Sequence, residues 1–278
     1  MRQLILALAC LAAAPVHVWA QNGWDDPFPA HQVMDNLYFV GTARMGSFLI
    51  TTPEGHILIN TNYEGTIPLI ERSFETLGFD LADVEIILGS HAHSDHQQAD
   101  VVLRERIGAQ IMIMEEDVAG WQRISRGYGD IPIDRILHDG EEVTLGGTTL
   151  VAHLMPGHTR GCTSWEMELE EDGETYRALI VCSFSVNPGY VLINNPNHPD
   201  IVEDYRATYA KAREMPVDVF VASHGSWYDL RSKYETLQRR ERGDPNPFID
   251  HAGFMEHIDR QEAIFEAMLE TQQRANKW

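Results

Sequence analysis

Apolar and polar positions alternate in short runs along much of this chain. Leu37 to Val40, Ser47 to Thr52 and His56 to Asn60 read as strands, and the Pro53-Glu54-Gly55 turn joins the last two as a hairpin. Ile67 to Leu77 has helical spacing and closes at Gly78. Val84 to Leu88 is an apolar strand that leads into a polar cluster and then a helix-like run from about Gln97 to Ile107. Ala109 to Met114 is strand-like and Glu115 to about Ser125 helical, whereas residues 21–36 read as an irregular arm and 126–135 as a loop able to wall a pocket.

Further on, Glu142 to Leu145 and Thr148 to Leu154 flank Gly146-Gly147, and Thr163 to Leu169 and Tyr176 to Cys182 pair across Asp172-Gly173. Asp200 to Met215 is an amphipathic helix, Val217 to Ala222 a buried strand, and Leu230 to Arg240 and Phe248 to Arg274 are helices. The pattern implies a mixed α/β domain whose sheets are covered by helices. It leaves the arrangement of the sheets open.

The start of the chain changes the picture. Arg2, the apolar run Leu4 to Ala14 and Val18-Trp19-Ala20 read as a secretory signal peptide, residues 1–20, cleaved before Gln21. A lipoprotein anchored through Cys10 is the weaker alternative. The apolar run is too short to span a membrane. The expectation is a periplasmic protein with one domain over residues 21–278. Its formal net charge of −21 argues against nucleic acid as a partner, which needs a basic surface, and serves solubility.

The chemistry concentrates in His91-Ala92-His93-Ser94-Asp95-His96 at the end of a strand. Residues two apart in an extended loop point the same way, so His91 and His93 can converge on one ion while Asp95 and His96 aim at a nearby point. Nitrogen and oxygen donors of this kind suit zinc. His158 in Gly157-His158-Thr159 and His224 in Ser223-His224-Gly225 also follow strands. The other histidines, His31, His56, His138, His153, His198, His251 and His257, are scattered and read as surface or satisfied core residues.

The order His-x-His-x-Asp-His, Gly-His-Thr, Ser-His-Gly resembles the metallo-β-lactamase superfamily over nearly all of the mature chain. That resemblance implies an αββα sandwich of two mixed sheets, and two Zn2+ ions: one held by His91, His93 and His158, the other by Asp95, His96 and His224. A three-histidine site adds no negative charge, so its zinc keeps full Lewis acidity. Most hydrolases of the superfamily place a metal-bridging aspartate after the strand that follows the Gly-His-Thr loop; here Ser183 stands there. This resembles the class B β-lactamases of subclass three, as do Val186-Asn187-Pro188-Gly189-Tyr190, Ile201 to Tyr205 and Asn246-Pro247-Phe248-Ile249-Asp250. Gln97-Gln98 and His251 depart from the pattern, and the two glutamines put zinc affinity and substrate range in question. The implied activity is hydrolysis of β-lactam antibiotics by a metal-bound hydroxide, with catalytic Asp95 binding the second zinc and orienting that hydroxide. Ser183 and Ser185 would contact the drug's carboxylate, or else only hydrogen-bond at a strand end. A lactonase or thioesterase of the same fold, and a non-catalytic periplasmic zinc-binding protein, are the alternatives.

Two cysteines remain after the signal. A two-residue turn at Asp172-Gly173 sets Cys162 opposite Ser183, which puts Cys182 on the other side of the pleat. The expectation is two unpaired, buried thiols, Cys182 facing the core and Cys162 the site. Trp24 and Tyr63 are candidates for the pocket lining or for packing at its rim.

Overall fold

The computed structural model describes residues 23–129 and 131–276, so the expected signal peptide with Cys10 lies outside the described residues. Seven strands form the first sheet, in chain order from β1 to β7: His31–Met34, Leu37–Phe39, Phe48–Thr52, Gly55–Ile59, Val84–Leu88, Gln110–Met114 and Arg135–Leu137. β1 to β4 meander antiparallel, and β4 to β7 run parallel. The helices α1 (Ile67–Leu77), α2 (Ser94–Gln97), α3 (Asp100–Ile107) and α4 (Val118–Ile124) occupy the connections after β4, β5 and β6.

The second sheet has the order β12-β11-β10-β9-β8. β8 (Glu142–Leu145), β9 (Thr148–Leu154), β10 (Thr163–Glu171) and β11 (Glu174–Val181) are antiparallel neighbours. β12 (Val219–Ala222) adds parallel to β11, after α5 (Ile201–Glu214), and α6 (Leu230–Arg239) and α7 (His251–Ala275) complete the chain.

Alternation within the strands explains the layers. Leu49, Leu58, Ile87 and Ile111 turn one way to pack with Ile70 and Phe74 of α1, Leu103 of α3 and Trp121 of α4. Phe48, Ile50, Ile57, Ile59 and Leu88 turn the other way and join the core shared with Trp165 and Met167 of β10. Tyr205 of α5 and Phe265 of α7, with ring centroids 5.1 Å apart, lie in the same core cluster as Phe220 of β12. This is the αββα sandwich that the resemblance implied.

Three local readings need correction. β1 lies inside the expected irregular arm, because Val33 and Met34 are buried despite the prolines before them. β7, a three-residue edge strand that no reading expected, starts at the last residue of the expected loop and runs past it to Leu137. The helix expected from Gln97 to Ile107 is broken between α2 and α3.

The cysteine expectation is overturned. Glu171 faces Glu174 and Trp165 faces Ile180, the expected register, yet Cys162 and Cys182 form a disulfide with Cα atoms 5.7 Å apart. The reason is where the ladder stops. β10 begins at Thr163 and β11 ends at Val181, so both cysteines lie beyond the pleated segment and its alternation does not bind them. The backbone N–H of Cys182 donates to the Ser164 hydroxyl (3.1 Å) instead of to a strand partner.

Candidate metal centre

The loops that follow β5, β9 and β12 bring six side chains able to ligate a metal to one edge of the sandwich. The first is shaped by two residues in the left-handed region, Asn60 (φ 64°) and Asn62 (φ 60°), a conformation to which asparagine is better suited than most residues. Their turn directs the N–H groups of Thr61 and Asn62 onto the His96 carbonyl (2.9 and 3.0 Å). The Asn60 side chain accepts from the Ser90 N–H (2.8 Å) and donates to the Gly46 carbonyl (3.0 Å). His224 is set by a bridge to Met45, and the Gly46 N–H donates to the Ser223 carbonyl (2.7 Å). A Cβ at Gly46 would stand 2.5 Å from the Ala222 carbonyl oxygen, so this crossing between the sheets needs glycine.

Two triads result: His91, His93 and His158, and Asp95, His96 and His224, with the ligand atoms of each within 4.8 Å of one another. Hydrogen bonds select the nitrogen that each ring offers. His158 donates from Nδ1 to the Ser185 carbonyl (2.8 Å), and His224 from Nδ1 to the Arg44 carbonyl (3.1 Å), which leaves both Nε2 atoms free. The Tyr190 hydroxyl donates to the His158 carbonyl (2.8 Å), so it accepts from His93 Nε2 (3.4 Å) and leaves His93 Nδ1 for an ion. His91 Nε2 is buried with no hydrogen-bond partner among the described residues, an orphaned donor atom that a metal would satisfy. In the second triad His96 Nε2 lies 3.3 Å from both Asp95 Oδ2 and His224 Nε2.

The electrostatics fit a cation. Burial, reinforced by neighbouring imidazoles, lowers His91 well below the usual histidine range, and burial holds His158 to about 3 and His224 to about 4. His93 is lowered too, mainly by burial. These four rings are neutral ligands at pH 7, as metal binding requires. Burial pushes Asp95 upward, but the imidazoles of His96, His224 and His93 together outweigh it and hold the carboxyl well below its ordinary range. The donor set therefore fits zinc.

Other contributors carry no spacing signal. The buried Asp117 carboxylate accepts from the Ala92 N–H, the Thr159 hydroxyl and the Gly161 N–H, each at 2.8 Å, and so ties the His91–His93 loop to the His158 loop. In sequence it is one acid of Glu115-Glu116-Asp117, indistinguishable from a solvated run. The Tyr190 ring stacks 6.1 Å from His158. Asp100 is fully buried and accepts from Thr61 (2.7 Å), Trp121 (2.8 Å) and Gln97 (3.2 Å), and burial raises its carboxyl to about 7. Gln97, a departure from the family pattern, thus sits behind the ligand loop, pressed on Gly89, while Gln98 accepts from the Glu64 N–H (3.3 Å).

All six expected ligands come together. Ser183 is buried and Ser185 half-buried, with hydroxyls 3.1 Å apart, and Ser185 also lies 3.4 Å from His158 Nδ1. Trp24 and Trp227 flank His224 at 5.5 and 4.4 Å, and Tyr63 packs edge-on to Trp24 at 6.4 Å. Neither triad contains any of the other seven histidines. A cavity of about 820 Å³ opens beside the first triad, lined by His93, His158 and Tyr190 among others.

The sequence profile of the metallo-β-lactamase superfamily matches residues 47–224. The native FEZ-1 metallo-β-lactamase of Legionella gormanii is 40% identical, with a TM-score of 0.84 over 89% of this chain and 98% of that one. BJP-1, a subclass B3 metallo-β-lactamase of Bradyrhizobium japonicum, is 34% identical, with a TM-score of 0.84 over 92% and 99%. A probable metallo-hydrolase of Burkholderia pseudomallei is 32% identical over 93 residues, so the match spans 31% of that relative and 30% of this chain.

Proposed function

The chain belongs to the metallo-β-lactamase superfamily, and from that premise we propose that it is a di-zinc β-lactamase that hydrolyses the cyclic amide of β-lactam antibiotics. The observation that carries this reading is the pair of triads. Three histidines stand beside an Asp-His-His set, and among the described residues no carboxylate belongs to both. The likeness to FEZ-1 and BJP-1 supports the substrate class.

Zinc bound there supplies Lewis acidity toward the lactam carbonyl and activates water near neutral pH. The chain does the rest. His91, His93 and His158 hold the first ion as neutral rings. Asp95, His96 and His224 would hold the second, and the Asp95 carboxylate would orient the attacking water. Asp117 and the carbonyls of Ser185 and Arg44 fix loops and ring tautomers, so that little is left to reorganise on binding. The Ser185 hydroxyl, backed by Ser183, receives the drug's carboxylate.

The protein works in the periplasm on this reading, which the signal-like residues 1–20 and the Cys162–Cys182 disulfide support. The test is metal dependence. Chelation abolishes penicillin turnover, zinc restores it, and covalent serine-directed inhibitors have no effect. Turnover that survives complete zinc removal would exclude the proposal.

A further inference from the structure

The cavity beside the first triad carries two cations with no ion-pair partner among the described residues. Arg123 of α4 and Arg160, two residues after His158, both line it, and neither makes a hydrogen bond or ion pair among the described residues. Acidic residues outnumber basic ones in this chain, 42 to 21, and Arg104, Arg106, Arg206, Arg213 and Arg240 are ion-paired, but these two are not. Both arginines are exposed toward solvent. Of the acids on the wall, Glu116 is exposed, whereas both oxygens of Asp117 are occupied by hydrogen bonds.

Both arginines spring from anchored backbone. Arg160 sits between Thr159 and Gly161, which both donate to the buried Asp117, and the Gly157 N–H closes the loop onto the Thr159 carbonyl (2.9 Å). Arg123 Nη2 lies 3.6 Å from the point where a Cβ at Gly120 would stand, and that point is 2.8 Å from the Ala92 methyl. Its guanidinium therefore lies close to the residue between two zinc ligands, His91 and His93.

We propose that Arg123 and Arg160 form an anion subsite that selects β-lactams with a second acidic group on the side chain next to the lactam carbonyl. The inference rests on the β-lactamase reading for the orientation of the substrate. The cavity includes His93 and His158 but no member of the second triad. With the lactam nitrogen directed to the second ion, the substituent on the carbon beside the carbonyl extends over His93 and His158 into this cavity. A carboxylate or sulfonate there meets two guanidinium groups, each able to bind it through paired N–H donors.

The experiment compares benzylpenicillin with carbenicillin, which adds one carboxylate at the benzylic carbon. In the zinc-loaded protein the Arg123→Ala/Arg160→Ala double variant shifts the KM ratio of the two compounds about tenfold against carbenicillin. Glu116→Gln shifts it in carbenicillin's favour. Arg242→Ala, outside the cavity, leaves the ratio unchanged, which separates local recognition from the protein's overall field. The wild-type preference also weakens as salt rises. A ratio that the double variant leaves unmoved, or that Arg242→Ala moves equally, overturns the subsite. If neither penicillin is turned over, the β-lactamase reading fails, and calorimetric affinities of the intact compounds for the same zinc-loaded proteins decide the subsite alone: tighter carbenicillin binding lost in the double variant supports it, and equal affinities overturn it.

Discussion

Cys162 and Cys182 are bonded to each other just beyond the β10–β11 ladder, whose register, if continued, would set Cys162 opposite Ser183. The bond closes the site end of β10 and β11, next to Ser183 and Ser185, across a sequence separation of 20. The protein prepared without residues 1–20, unfolded without reductant, is expected to show no free thiol. Loss of the bond in Cys162→Ser/Cys182→Ser lowers stability by about 3 kcal/mol, read by denaturant titration. Two titratable thiols per chain would contradict the bond.

Asp117 is the shared anchor of two ligand loops. Asp117→Asn leaves one backbone N–H facing an amide NH2 and loosens the first triad. Zinc affinity of the tighter site is expected to fall about 10- to 100-fold, as for other outer-shell partners of metal ligands. Competition against a chromophoric chelator measures it, and an unchanged affinity would refute the anchoring role.

The two triads predict two bound ions per chain. His224→Ala is expected to release the second ion while the first stays bound, because His91, His93 and His158 lie in the other loops. Metal analysis after dialysis checks this. One tightly held ion in the zinc-replete wild type would remove the second site.

Acid stability reports on two histidines away from the metals. Burial lowers His31 to about 4 and His257 to about 3 among aromatic rings. The unfolded chain takes up those protons near 6.5, before the native protein does, so stability falls as pH drops from about 6.5 toward these values. Between about pH 7.5 and 5.5 each histidine accounts for about 1.4 kcal/mol of the loss. His257→Leu is expected to remove its share of that pH dependence, as read by denaturant midpoints at the two pH values. An identical dependence would show that His257 protonates freely.

Much of this was legible in the chain because it is local. α1 with its Gly78 cap, the β3–β4 and β8–β9 hairpins and the β10–β11 register follow from spacing and turn residues. The six candidate ligands stand out because histidines crowd loops directly after apolar strands. What stayed hidden depends on distant partners. β1 and β7 are short outer strands held by the sheet, not by their own pattern. The disulfide turns on where a ladder ends. Asp117 acquires its role only when Ala92 and Gly161, far apart in sequence, close on it.

The most direct test of the account is steady-state turnover by the purified, zinc-loaded protein of a penicillin, a cephalosporin and a carbapenem beside lactone and thioester controls. Ring opening of at least one β-lactam is expected, lost on replacing His91 or His158 by alanine, with little activity on the controls. Zinc-dependent lactone or thioester hydrolysis with no β-lactam turnover would contradict it.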